Sequence, residues 1–293
     1  MRQETDSEAA RSVATNPAHS GHSAKAAPLL LFPREHGSWG MLLFPLISAM
    51  ILTQLWTWSF VPAVTAALAV FLIREPMVVL ARQRYAWKDL RPETAAARRS
   101  LLVFGALAGV SGAWLLALAP LGWLIALGLV AAGLTGAYIY GALKILQRSP
   151  ILQIAGAVGL SASALLPYLA AGLLPDTSLW LLIGAQVVHG AGSVLVVHAR
   201  LEAVRALKTG AVVHARHVAA ASWLALHAIT AVTLALTGRP WVGAILAIPL
   251  AVHVADLARL KDPRFLRTPL RRVGFRELGL STVFTVLVVV ALR

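Results

Sequence analysis

The sequence predicts an all-α fold, a polytopic bundle of about nine transmembrane helices with the N-terminus inside, and three observations carry that reading. Over 293 residues the chain is 58% hydrophobic and only 13% charged, with a mean hydropathy of +0.75, too apolar and too charge-poor for a soluble domain of this length. Apolar runs recur at the length of about 20 residues that a helix needs to cross a hydrocarbon core of about 30 Å. When those runs are threaded alternately through a bilayer, all but three of the 26 Lys and Arg fall on one side, the exceptions being Arg74, Arg239 and Arg293. Lys and Arg collect on the cytoplasmic face, which sets the orientation.

Taken in order, residues 1–27 are rich in Ser, Ala, His and charge and hold no apolar run, so they read as a disordered cytoplasmic tail. No cleavable apolar segment precedes the first span, so no signal peptide is expected. Residues 28–293 then form one transmembrane domain, with spans predicted near 38–55, 59–80, 100–119, 121–143, 150–174, 178–199, 218–237, 240–258 and 276–292. The joints Trp56–Trp58, Pro120–Leu121 and Gly238–Pro240 are short, and Pro and Gly end helices, so the spans they connect are expected as antiparallel hairpins. Small residues crowd "GALAGVSGA" (105–113), "GLVAAGLTGAYIYGA" (128–142) and "GAVGLSASA" (156–164), where helix axes can approach closely.

Composition also excludes chemistry. There is no cysteine, hence no disulfide, thiolate metal site, iron–sulfur cluster or cysteine nucleophile. The formal net charge of +14 reads as topology and contact with anionic lipid rather than nucleic acid. "RQRYAWKDLRP" (82–92) interleaves Tyr85 and Trp87 with cations, the pattern of an interfacial aromatic belt. His214 and His217 could both ligate a metal, but their loop offers no third ligand, so no metal site is expected. No complete catalytic motif stands out, and the sequence leaves the cofactor unknown.

A charge at the bilayer centre costs about 2.5–3.5 kcal/mol on insertion scales, so charges kept near a span need an interfacial place or a polar partner. Here they share the cytoplasmic ends. Glu35 and His36 precede span one, and Arg74 and Glu75 lie late in span two. Gln153 opens span five, His198 closes span six, His253 and Asp256 close span eight, and Glu277 opens span nine. The convergence predicts one polar vestibule facing the cytoplasm. In "REP" (74–76) the proline cannot donate to the carbonyl four residues back, so Glu75 is expected at a kink. Arg74 and Glu75 are successive and so need partners on other helices, with Glu35 or Asp256 the natural ones for Arg74. In "HARLEAVR" His198, Glu202 and Arg205 fall at i, i+4 and i+7 on one helical face beside Arg200. His253 and Asp256, at i and i+3, suit a carboxylate orienting an imidazole, and His189 shares its face with Gln186 and Ser193 near the centre of span six.

"PREHGSWGMLLFP" (33–45) resembles the N-terminal signature of the YwiC-like bacterial membrane proteins, in which a Pro-basic-Gln/Glu-His-Gly-x-Trp motif opens the first span. That resemblance implies a multi-pass protein of the bacterial inner membrane and brings no activity with it. In architecture the chain also resembles the UbiA-type intramembrane prenyltransferases, whose polar loops after spans two and six hold a prenyl diphosphate through Mg²⁺ on aspartate-rich motifs. "LRP" (90–92) stands in a suitable place, but the carboxylates here are only Glu75 in "REPMVVLARQR" and Glu202 in the second loop. One carboxylate per loop makes a poor Mg²⁺ site.

The function expected from these residues is binding of an anionic or amphiphilic, lipid- or isoprenoid-like molecule in the vestibule, with Arg74, Arg200 and Arg205 as anion contacts. The rivals are a divergent UbiA-like prenyltransferase without the aspartate-rich motifs, and a transporter using His189, Gln186, Ser161 and Ser163 as deep polar groups. A structural or assembly protein without ligand is the remaining reading.

Overall fold

The computed structural model describes residues 29–33, 36–89, 91–144, 146, 149–210 and 215–293, and all secondary structure among them is helical. In lipid every backbone polar group must be satisfied within the chain, and a helix does this inside a single segment. The elements are α1 (His36–Leu52), α2 (Phe60–Ala81), α3 (Thr94–Leu116), α4 (Leu121–Leu143), α5 (Pro150–Ser161), α6 (Leu165–Ala170), α7 (Thr177–Thr209), α8 (Ala215–Leu236), α9 (Pro240–Ala258), α10 (Pro263–Leu266) and α11 (Leu270–Leu292). Among the described residues eight helices are long and apolar enough to cross a membrane, α5 and α6 counting as one, and α1 is a shorter apolar helix. The chain is a polytopic helical membrane protein.

The helix ends follow the local sequence. Asp176 starts α7 by accepting the backbone N–H of Leu179 at 2.8 Å, and Asp262 starts α10 by accepting that of Arg264 at 2.8 Å. Pro150, Pro240 and Pro263 stand in first turns, where no intrahelical donor is lost. Gly210 closes α7 in the left-handed region at φ 69°, a place that suits glycine.

Three local features differ from the sequence reading. α2 is a single helix through Pro76 and continues past the predicted end at 80 into a π-helical turn, Arg82–Trp87. The fifth span is interrupted by a 3₁₀ turn, Ala162–Ala164, between α5 and α6. Its cause is Pro167, whose ring clashes with the carbonyl of Ser163 and cannot donate to it. Third, α7 continues to Thr209, ten residues beyond the predicted end at 199, because "HARLEAVRALK" stays helical after its apolar run ends.

α7 is the central pillar, touching α1, α5, α8, α9 and α11. The largest core cluster forms around it, with Leu169, Leu179, Leu182, Leu246, Phe284 and Val288 almost fully buried. α8 and α9 form the tight hairpin expected, since a Cβ on Gly243 would run into the carbonyl of Ala231 and the side chain of Ala235. α4 is peripheral, with no buried residue in its most apolar stretch. Before α1, Leu31 donates its N–H to Ser100 Oγ on α3 at 2.8 Å, and Phe32 meets Phe104 edge-on.

Candidate functional site

The polar residues settle in two separate places. The first borders a cavity of about 470 Å³ between α2, α3, α4 and the α5–α6 segment, with Leu42 of α1 at its wall. That volume lies within the range of small-molecule sites. The wall is almost wholly apolar; its polar members are Arg74, Thr135, Tyr138 and Ser163, and Arg74 is the only charged one among the described residues. The Ser163 hydroxyl is donated to the Leu160 carbonyl at 2.6 Å.

Helix direction locates Arg74 within this cavity. α2 contributes Ala66 to Arg74 and α4 contributes Leu121 to Tyr138, running the same way through the membrane after an intervening helix. At 1.5 Å per residue the α4 wall is about 25 Å long. Arg74 and Tyr138 therefore share one end, nearest the α2–α3 and α4–α5 connections. The guanidinium lies 4.2 Å from the Tyr138 ring centroid and 5.3 Å from that of Phe71. Such stacking holds a planar cation in place. Trp39 packs edge-on against Phe71 with centroids 5.1 Å apart, which ties the tryptophan of "EHGSWG" to this end of the cavity.

Two turns further along α2, Arg82 donates through Nε to the Ala142 carbonyl at 3.3 Å. Gln83 is buried and accepts the Thr94 hydroxyl at 2.8 Å, fastening the α2 end to the start of α3.

The second place is a buried polar seam between α7, α9 and α11. Ser193 Oγ donates to Glu277 Oε2 at 3.1 Å, His189 Nε2 meets Ser281 Oγ at 2.8 Å, and Gln186 Nε2 donates to Thr285 Oγ1 at 2.9 Å. The shared face of Gln186, His189 and Ser193 foreseen in span six thus meets a matching face of α11, at i, i+4 and i+8. From α9, His253 inserts its Nε2 3.2 Å from Glu277 Oε2 and 3.3 Å from Ser193 Oγ. Its ring stacks on His189 with centroids 5.6 Å apart and planes within 4°. Gly192 makes room, since a Cβ there would lie 3.3 Å from His253 Nδ1. Arg276 forms a two-pronged pair with Asp256 and also reaches Glu277 Oε1 at 2.9 Å.

The expected contacts are therefore redistributed. Asp256 pairs with Arg276 rather than with Arg74, and it is Glu277, not Asp256, that orients His253. His198, on the foreseen head-group face, is buried against α5 with its Nε2 3.1 Å from Gln153 Oε1. Glu202 accepts the backbone N–H of Arg216 at 3.1 Å, and Arg205 is exposed. Arg200 is buried and donates to the carbonyls of Phe265 at 2.8 Å and Thr268 at 3.0 Å, so its charge holds the α9–α11 connection. Glu75 is half-buried. Glu35 and the side chain of His36 lie outside the described residues, as do the 1–27 tail and His214. Arg276, Ser281 and Thr285 were not singled out from sequence. The signal that could have found the last two is the spacing of Glu277, Ser281 and Thr285 on one face of span nine.

Among known proteins, a family model described as "YwiC-like protein" matches residues 32–168. No curated protein and no solved structure gives a match to the chain. The architectural likeness to UbiA-type prenyltransferases therefore rests on the sequence layout alone.

Proposed function

We infer, from a YwiC-like membrane protein whose matched residues 32–168 contain every residue lining the cavity, that this region binds an amphiphile with a long apolar chain and an anionic head. The observation that carries the reading is the pairing of a deep apolar cavity with a single arginine at one end. An apolar tail gains by filling such a space, at about 0.8 kcal/mol per buried CH₂ relative to water, though far less relative to lipid. Selection over bulk lipid must therefore come from the head, and the positive charge of a guanidinium stacked on Tyr138 and Phe71 supplies the attraction for a carboxylate or phosphate. By the charge asymmetry of the loops, this end faces the cytoplasm of a bacterial inner-membrane protein with its N-terminus inside. The pocket so read is smaller than the vestibule expected from sequence, with Arg74 in the leading role.

The test is native mass spectrometry and lipid extraction of the full chain purified in mild detergent. An anionic long-chain amphiphile is expected to stay bound to the wild type and to be retained at least about tenfold less by Arg74→Ala, the loss of one charge-assisted contact. Gly156→Leu, which fills open space in the wall, is expected to reduce retention of long-chain species with Arg74 intact. Equal retention in all three proteins would sink the reading.

A further inference from the structure

The α7–α9–α11 seam lies outside the cavity and outside residues 32–168, and its composition exceeds what helix packing requires. Serine, threonine and glutamine suffice as glue between membrane helices, whereas ionisable groups are costly there. Yet His253 is 0% exposed, His189 is 3% exposed, and a carboxylate lies hydrogen-bonded against the first of them.

We propose that the Glu277–His253 pair is a proton-binding site within the membrane, loaded from the Arg276 side and closed from the other. With one ring proton on His253, the carboxylate draws it to Nε2, where Glu277 and Ser193 lie, and Nδ1 faces Gly192 with no hydrogen-bond partner among the described residues. The pair thus holds one proton and has two places for another, the carboxylate and Nδ1. A hydronium ion delivers it and leaves as water; the pair gains one positive charge and no bond between heavy atoms changes.

Access is one-sided. Arg276 is 40% exposed and Glu277 15%, and a crevice of about 10 Å³, room for about one water, opens between them, Asp256 and Arg200. In the opposite direction the polar groups end at Gln186 and Thr285, and Leu179, Leu182, Leu246 and Val288 close the interior. The charged and titratable groups facing the pair are His189 and Arg200 on α7, His227 on α8, Asp256 on α9, and Arg276 on α11. Arg276 and Arg200 offset Asp256 and Glu277 in this cluster, so an added proton gives it a net positive charge. The arrangement is a site for a proton rather than a metal ion, since no group of three His, Asp or Glu converges on one point among the described residues.

The test uses the full chain in vesicles of phosphatidylcholine and phosphatidylglycerol, followed by infrared difference spectroscopy and tryptophan fluorescence between about pH 8 and about pH 5. Trp223 flanks Gly192 beside His253, so an imidazolium there quenches its emission, while a protonated Glu277 gives a carboxyl C=O band that shifts in D₂O. At least one signature is expected, removed by Glu277→Gln or His253→Gln and kept by Asp256→Asn. It should follow acidification of the Arg276 side alone. Absence of both signatures while the protein stays folded overturns the proposal, and an equal response from the opposite side overturns the one-sided route. If neither pair variant folds, Ser193→Ala decides: it removes one contact to each group, so an unshifted band and unaltered quenching assign the signals elsewhere and overturn the proposal.

Discussion

Arg276 stands between two carboxylates, and the number of groups it satisfies makes it the most consequential side chain of the seam. It binds Asp256 through both terminal nitrogens and Glu277 through one, while Asp256 is only 6% exposed. Arg276→Ala leaves two neighbouring carboxylates without their shared cation. For a pair this partly exposed the cost belongs at the low end for buried ion pairs, about 3 kcal/mol, read as a lower thermal unfolding midpoint in detergent. Arg276→Lys should recover only part of it, because an ammonium cannot repeat the two-pronged geometry. Arg200 plays a different part. Its donors end on the Phe265 and Thr268 carbonyls and its guanidinium lies 4.5 Å from the Phe265 ring, so Arg200→Ala should loosen the α9–α11 connection. Faster trypsin cleavage after Arg264 and Arg267, with retention of the amphiphile proposed for the cavity unchanged, is the expected outcome. Were Arg200 an anion contact of the cavity, ligand loss would accompany the cleavage.

At the level of helices, small residues matter only where another backbone is close. A methyl at Gly243 meets the Ala231 carbonyl and Ala235, so Gly243→Ala should cost about 1–3 kcal/mol, whereas Gly105→Ala, open within 4 Å, should be neutral or slightly stabilising. Thermal unfolding of the two variants side by side checks this. Both glycines sit in similar small-residue surroundings in the sequence, which shows what local pattern does and does not disclose. Apolar runs and charged or Pro-Gly joints delimit the helices within a few residues because lipid makes each span satisfy its own backbone. The polar face of α7 was legible for the same reason, as a 3.6-residue period in Gln186, His189 and Ser193. Its partner was not. Ser193 and Glu277 are 84 positions apart, and nothing local in either helix says that α11 rather than α5 lies opposite. Proximity of ends on one side of the membrane suggested a single vestibule. Packing instead divided those ends, because α7, passing between α5 and α9, puts His198 against Gln153 and leaves His253 and Asp256 on its other flank.

For the molecule as a whole, the uneven distribution of cations makes a claim about direction that bears on both sites. The cavity end marked by Arg74 and the crevice beside Arg276 lie at the same side of the bundle, the side of the connections after α2, α4 and α9. If positive charge stays inside, the proposed amphiphile head and the proposed proton both meet the protein from the cytoplasm. The absence of cysteine makes the claim directly measurable, because one introduced thiol is the only one present. Lys88→Cys, Lys208→Cys and Lys261→Cys, all on the basic side, should resist a membrane-impermeant maleimide in intact cells and react after lysis. Trp58→Cys and Thr237→Cys, in the opposite joints, should react in intact cells. Each position is exposed, so a failure to label reports the side of the membrane rather than burial. The reverse pattern would invert the orientation and place both the Arg74 head-group site and the proton entry at the outer face. Mixed labelling within either set would mean that a helix between the labelled positions does not cross; α1, the helix shorter than a full span, precedes all five positions, so its failure to cross would move them together.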